Sequence, residues 1–275
     1  MRRVAEPLAA MGARIEMRDG RPPVRILPSE SLHGIRYPMP VASAQVKSAL
    51  LLAGLYARGE TTVVEPAPTR DHTERMLGGF GVELARDGAA VTLRGGQALR
   101  ATAIDVPADI SSAAFFLVGA SIAAGSALVL EHVGINPTRT GVIEILRLMG
   151  ADIAVDNQRE VGGEPVADLR VRAAPLRGIA VPPGLVPLAI DEFPALFVAA
   201  ACAQGRTVVT GAAELRVKES DRIAVMADGL RALGVEATPT PDGMVIEGRG
   251  GDAAVFASGV VEAHADHRIA MAFAM

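Results

Sequence analysis

Apolar and polar positions along this 275-residue chain sort into two helical patterns that take turns. The first kind is almost uniformly apolar. It opens near Ser43-Ala44-Gln45, Ile110-Ser111-Ser112, Asp191-Glu192-Phe193 and Asp266-His267-Arg268, then runs on through Ala, Leu and Val. Ser or Asp at such openings suits the N-cap, where a side-chain oxygen satisfies a free backbone N–H. The three complete runs are predicted to close at Gly59, Gly125 and Gly205. The second kind covers 4–10, 73–79, 141–148 and 223–232, and each is predicted to be a helix.

A phrase follows each helix of the second kind: Met11-Gly12-Ala13, Phe80-Gly81-Val82, Met149-Gly150-Ala151 and Leu233-Gly234-Val235. Gly just past a helix end accepts the left-handed geometry that closes it. Short strand-like stretches come next, such as 82–84 with 90–93 and 235–237 with 244–247. Arg86-Asp87-Gly88 and Pro241-Asp242-Gly243 separate them as hairpin turns. Thr/Val-rich strands at 61–65, 127–131 and 207–210 follow the apolar helices. The repeating unit therefore reads apolar helix, strand, loop, second helix, Gly, strand, hairpin, strand. One such unit cannot bury its apolar face alone and must stack on its copies.

Three units are whole, at about 41–100, 109–173 and 190–248, and both termini fall inside a unit. The chain thus reads as a piece of a longer protein. Pro107-Ala108-Asp109 is the expected boundary between a first domain (1–107, one partial and one complete unit) and a second (108–275, two complete units and the start of a third). Residues 157–184, rich in Gly and Pro, are expected to form a long hairpin and linker.

Composition narrows the function. Half the residues are apolar, yet there is no Trp, two Tyr and seven Phe, and the net charge is −4. Few aromatics and an acidic balance argue against nucleic-acid partners. No apolar run nears the roughly 18–20 residues that span a bilayer, so no membrane is implied. The basic pair Arg2-Arg3 has no apolar core behind it, unlike a signal peptide. Single Cys202 fits a reducing cytoplasm and sits amid Ala as core. The chain is expected to be soluble and cytoplasmic.

Unusual charge gathers where helices begin. Arg216-Val217-Lys218-Glu219-Ser220-Asp221-Arg222-Ile223 packs three cations and two acids into eight residues just before an amphipathic segment. Two readings fit. It is a solvated first helical turn, with neighbour pairs contributing about 0.2–0.5 kcal/mol each. Alternatively it is a site where Lys218 and Arg222 hold an anion while Glu219 or Asp221 moves protons. Ser43 and Asp266 can be N-caps alone, whereas Asp191-Glu192 inside an apolar run invites explanation, because unpaired buried acids are costly. His264 and His267 lack a second ligand pair, so no metal is expected. There is no P-loop, no G-x-G-x-x-G after a strand, no H-E-x-x-H and no G-x-S-x-G.

Four phrases carry a resemblance: Ser43-Ala44-Gln45-Val46-Lys47-Ser48-Ala49, Thr69-Arg70-Asp71-His72-Thr73-Glu74, the octapeptide at 216–223, and Asp266-His267-Arg268-Ile269-Ala270-Met271. In order and spacing they resemble the 5-enolpyruvylshikimate-3-phosphate synthase family over essentially the whole chain. The resemblance implies an α/β (α+β) enolpyruvyl-transferase fold, two domains of repeated βαβαββ units in an inverse α/β barrel-like arrangement, incomplete here. It implies transfer of the enolpyruvyl group of phosphoenolpyruvate to the 5-hydroxyl of shikimate 3-phosphate, with release of phosphate. The path is addition then elimination through a tetrahedral intermediate, with no cofactor and no metal. The implied partners are these two small molecules, and the parent enzyme is implied to be a monomer.

By that resemblance Ser43, Ala44 (through its backbone), Gln45 and Arg70 hold shikimate 3-phosphate, and Gln45 also reaches phosphoenolpyruvate. Asp191 binds the shikimate hydroxyls and is the base on the attacking one. Lys218 contacts both substrates, Glu219 shuttles the methylene proton, and Arg222 and Arg268 clamp phosphoenolpyruvate. The family's Pro-Gly-Ser-Lys-Ser stretch, its Gly-Asn-Ala-Gly-Thr loop with the following Arg, and its distal Lys are absent. The chain by itself is therefore expected to be inactive, at most binding shikimate 3-phosphate. The sister family acting on UDP-N-acetylglucosamine uses a loop Cys, and Cys202 lies in an Ala-rich helix instead.

Overall fold

The computed structural model describes residues 1–251 and 254–275. The chain divides into two compact units, one of residues 1–105 with 161–164 and one of residues 106–160 with 165–275.

In the first unit, helix α1 (Arg2–Ala10) leads into the hairpin β1 (Arg14–Arg18) and β2 (Arg21–Leu27). Then follow β3 (Leu32–His33), β4 (Arg36–Pro38), α2 (Ala44–Gly54), β5 (Ala57–Arg58), β6 (Glu60–Val64), α3 (His72–Gly79), β7 (Leu84–Asp87) and β8 (Ala90–Arg94). Strands β3 and β5 pair in parallel. The main sheet has the order β4-β6-β8-β7, with β4 parallel to β6 and the other pairs antiparallel. Alternation sets its inner face: Thr61, Val63, Val91 and Leu93 are buried against Leu50 and Leu51 of α2. Each such aliphatic side chain contributes about 1.5–3 kcal/mol.

The second unit repeats the plan twice. Helix α4 (Ile110–Ile122), β9 (Ala127–Gly134), α5 (Gly141–Leu148), β10 (Asp152–Val161) and β11 (Glu164–Arg172) form one copy. After 3-10 turns at Pro183–Leu185 and Pro187–Ala189, the next copy is α6 (Phe193–Ala201), β12 (Gln204–Val209), α7 (Arg222–Ala232), β13 (Glu236–Thr240) and β14 (Gly243–Arg249), followed by α8 (His267–Ala274). Sheet orders β10-β11-β9 and β13-β14-β12 match β7-β8-β6. The opening strand shrinks to isolated parallel bridges, Ala108 with Val133 in one copy and Arg177 with Gln204 and Ala180 with Val208 in the next.

Helix α6 is apolar all round, and all nine of its residues are buried, as such a helix must be. It packs against α4, α7, α8 and β14. Its Ala-rich end allows backbone contact: a Cβ on Gly248 of β14 would lie 2.5 Å from the Ala200 carbonyl.

The repeat glycines close their helices as predicted. Gly12, Gly81, Gly150 and Gly234 have φ of 101°, 83°, 99° and 81°, each directly after the helix's last capping residue. The apolar helices stop sooner than predicted, at Gly54, Ile122 and Ala201. Gly59, Gly125 and Gly205, with φ of 88°, 76° and 84°, instead turn the chain at or just before the next strand. Strand β7 also runs on to Asp87, so Gly88-Ala89 makes that hairpin turn. Among the described residues no helix is long and apolar enough to cross a membrane.

Candidate active site

The octapeptide is not one helical turn. A 3-10 turn, Ala213–Val217, ends at Lys218, and α7 begins only at Arg222. Asp221 is the N-cap, accepting from the Ala224 N–H at 3.0 Å. Its other oxygen takes Arg216 Nη1 at 2.6 Å, and Arg216 also donates to the Pro241 and Thr240 carbonyls. Asp221 and Arg216 thus fix the turn. The kink leaves Lys218, Glu219 and Arg222 to gather around two acids from elsewhere in the second unit.

Arg222 is the centre of that gathering and is fully buried. Its Nε donates to Asp266 Oδ2 at 2.9 Å, and its Nη2 to Glu219 Oε2 at 2.5 Å. Nη1 lies 3.8 Å from Asp191 Oδ1 and makes no hydrogen bond among the described residues. Lys218 Nζ stands 3.3 Å from Asp191 Oδ1 and donates to Glu214 at 2.5 Å. Arg268, in the first turn of α8, donates Nη1 to the Asp191 carbonyl at 3.1 Å. Asp191, Lys218, Glu219, Arg222 and Arg268, drawn from three stretches of sequence, therefore meet. Glu219 stays open to solvent, its side chain 55 % exposed. Three cations and several carboxylates in one place can hold an anion and exchange protons with it.

Asp266 does more than cap α8. Fully buried, it accepts from Arg222, from Ser220 Oγ at 3.0 Å and from the Arg268 N–H at 3.0 Å. Burial pushes its carboxyl up, but the hydrogen bonds from Arg222 and Ser220 outweigh it and hold the group below its ordinary value. The sequence marked Asp266 as a helix opening only. No local signal gives its pairing with Arg222, which lies 44 residues away.

Of the adjacent acids, Glu192 is the buried one, while the Asp191 side chain keeps 16 % exposure. Ser111 of α4 donates its hydroxyl to Glu192, and Arg139 lies 3.9 Å away. Arg139 also pairs with Asp109 at 3.1 Å. Burial raises the Glu192 carboxyl above its usual range, against the pull of Ser111 and Arg139. Arg139, in the loop before α5, was not singled out from sequence.

In the first unit Ser43 N-caps α2, accepting from Val46 N–H at 3.4 Å and donating to Gln45 Oε1 at 3.2 Å. Beside it a cavity of about 430 Å³ is lined by Ala44, Gln45, Ser48, Leu52, Arg70 and Thr73. Of the six residues expected to contact shikimate 3-phosphate, Ala44, Gln45 and Arg70 border that cavity, Ser43 is engaged by its own helix, and Asp191 and Lys218 belong to the second unit's cluster. A larger concavity of about 550 Å³ in the second unit is lined by apolar and small residues of α4, β9 and α8, with no charged side chain. It lies apart from the charged cluster. Cys202 is half-buried at the end of α6, and burial pushes its thiol up to about 11. That is the opposite of an activated nucleophile.

Comparison with known proteins agrees along the whole chain. The family model described as EPSP synthase (3-phosphoshikimate 1-carboxyvinyltransferase) matches residues 1–275. A 3-phosphoshikimate 1-carboxyvinyltransferase from Alkalilimnicola ehrlichii is 69 % identical over 276 residues, covering 100 % of this chain and 61 % of the relative. One from Methylococcus capsulatus is 68 % identical, covering 100 % and 62 %. The solved structure of EPSP synthase from Acinetobacter baumannii superposes with a TM-score of 0.92 at 61 % identity, over 99 % of this chain and 63 % of that one. The chain thus spans about three-fifths of the length of the relatives it matches. Matched from its first residue to its last, with the same fold and more than half of its residues shared, this chain belongs to the EPSP synthase family.

Proposed function

We propose that this chain serves the reaction its relatives are named for, transfer of the enolpyruvyl group from phosphoenolpyruvate to the 5-hydroxyl of shikimate 3-phosphate. The observation that carries the reading is the convergence of Asp191, Lys218, Glu219, Arg222 and Arg268. Asp191 takes the proton of the attacking hydroxyl as its oxygen bonds to C2 of phosphoenolpyruvate, and Glu219 protonates the C3 methylene. Elimination reverses the second step: Glu219 removes a C3 proton, the C2–O bond to phosphate breaks, and the enol double bond returns, while the departing phosphate carries off the proton that Asp191 took. Arg222, through Nη1, and Arg268 hold the phosphoenolpyruvate anion, and Lys218, beside Asp191, contacts both substrates. Ser43, Ala44, Gln45 and Arg70 hold shikimate 3-phosphate at the first unit's cavity. The proposed setting is the cytoplasm, since a chain with one cysteine suits a reducing compartment.

Calorimetric titration of shikimate 3-phosphate into the chain tests the binding half. Arg70→Ala and Lys218→Met are each expected to weaken it by about tenfold or more. Unchanged affinity in both variants, or no binding to the unsubstituted chain, would sink the assignment. Phosphate release with both substrates present measures whether these residues suffice for turnover, and Glu219→Gln should abolish any that is seen.

A further inference from the structure

An ionic knot built on a fully buried lysine neighbours, along the chain, the residues that line the first unit's cavity, and none of its members has a role in the proposed reaction. Lys47 of α2 is fully buried. Its Nζ stands 3.0 Å from Glu65 Oε1 and 2.6 Å from Glu74 Oε1. Arg86 Nη2 reaches Glu65 Oε2 at 3.2 Å, so two cations face two acids and the knot is neutral overall. Glu65 is the hub. Its Oε1 also accepts the Thr69 backbone N–H at 3.1 Å and the Thr69 hydroxyl. Thr69 immediately precedes Arg70, and Lys47 lies two positions after Gln45. A second strut joins the same two helices, Ser48 Oγ to Thr73 Oγ1 at 2.7 Å.

An apolar residue at position 47 would suit the core better on transfer energy, because a buried ion pair is weak evidence for stability. What the charges supply is direction. Glu65 can grip the Thr69 backbone and the α2 ammonium at once, which an apolar contact cannot do. We infer that Lys47 is a positioning residue: through Glu65 it fixes the spacing between Gln45 on α2 and Arg70 on the following loop, and so sets the width of the shikimate 3-phosphate cavity. This rests on the reading of that cavity given above.

The test is a pair of variants followed by peptide-resolved hydrogen exchange and calorimetry. Lys47→Met leaves two acids against Arg86 alone and can destabilise the unit. Lys47→Met/Glu74→Gln removes one charge of each sign, so Glu65 and Arg86 still balance. In the double variant the amides of Ala67 and of Thr69, Arg70 and Asp71 (residues 66 and 68 are prolines) are expected to exchange about tenfold faster, while the β7–β8 hairpin keeps its protection. Shikimate 3-phosphate should bind about tenfold more weakly. Equal acceleration in loop and hairpin means a merely structural residue and overturns the inference, as does unchanged exchange at these loop amides. Binding that is undiminished despite a loosened loop overturns the link to the cavity. If the unsubstituted chain binds no shikimate 3-phosphate, the reading of the cavity fails, and exchange still decides whether Lys47 holds the two segments together.

Discussion

Arg222 and Asp266 form a pair sealed from solvent, with Nε of the first 2.9 Å from Oδ2 of the second and both side chains at 1 % exposure or less. The acid also caps α8, so one carboxylate anchors a guanidinium and a helix start together. Removing it by Asp266→Ala leaves a buried cation without its main partner. We expect a loss of about 3–5 kcal/mol at neutral pH, measured by urea unfolding. The folded carboxyl titrates below its ordinary value of 3.8. Its contribution is therefore full above that value and drains away as pH falls below about 4 through the folded value. The alanine variant should lose the matching acid slope.

Glu192 should act with the opposite sign. Its carboxyl is raised above 4.5, chiefly by burial. The folded state then holds the proton more tightly than the unfolded state. The stabilisation is complete below 4.5 and is lost as pH rises through the raised folded value. Glu192→Gln keeps an acceptor for Ser111 and removes the titration. It should unfold no more easily than the parent at pH 7, and its stability should be flatter with pH above 4.5. A variant with the parent's slope would point to another group.

Cys202 should behave as a core thiol. With its pKa pushed up to about 11, only about one molecule in ten thousand is thiolate at pH 7. A coloured disulfide reagent is expected to react slowly with the native chain and quickly in denaturant. Fast native reaction would revive the cysteine-dependent chemistry of the sister family.

Gly150 tests the repeat. At φ of 99°, an L side chain is strained, so Gly150→Ala should cost about 1–2 kcal/mol. Its new methyl would meet nothing closer than the Pro175 carbonyl at 3.4 Å. Backbone geometry, not crowding, should account for the loss, and a normal-sized m-value in urea would show that the unfolded state is unchanged.

Periodicity and glycine placement were enough to read the alternating helices from sequence, because both signals are local. Helices α3, α5 and α7 begin within a residue of their expected starts for that reason. Partners far apart in the chain were beyond such reading. Ser111 and Glu192 are separated by 81 residues, and nothing local tells that Glu192 is the buried acid while Asp191 faces the cluster. Lys47 looks like an ordinary polar position in an apolar helix until Glu65 and Glu74 fold over it. The octapeptide showed its charges but not its kink, since the geometry comes from Arg216 gripping the Thr240 and Pro241 carbonyls across the fold.

A protein built from copies of one unit carries its own internal control. Helices α2, α4 and α8 each open on a side chain that caps them, Ser43, Asp109 and Asp266. Helix α6 opens on Glu192, whose carboxylate makes no cap and turns to Ser111 instead. The sibling that departs from the common plan is the one adjoining Asp191. Symmetry kept elsewhere and broken there separates what the architecture demands from what is particular to the surroundings of Asp191, within a single molecule.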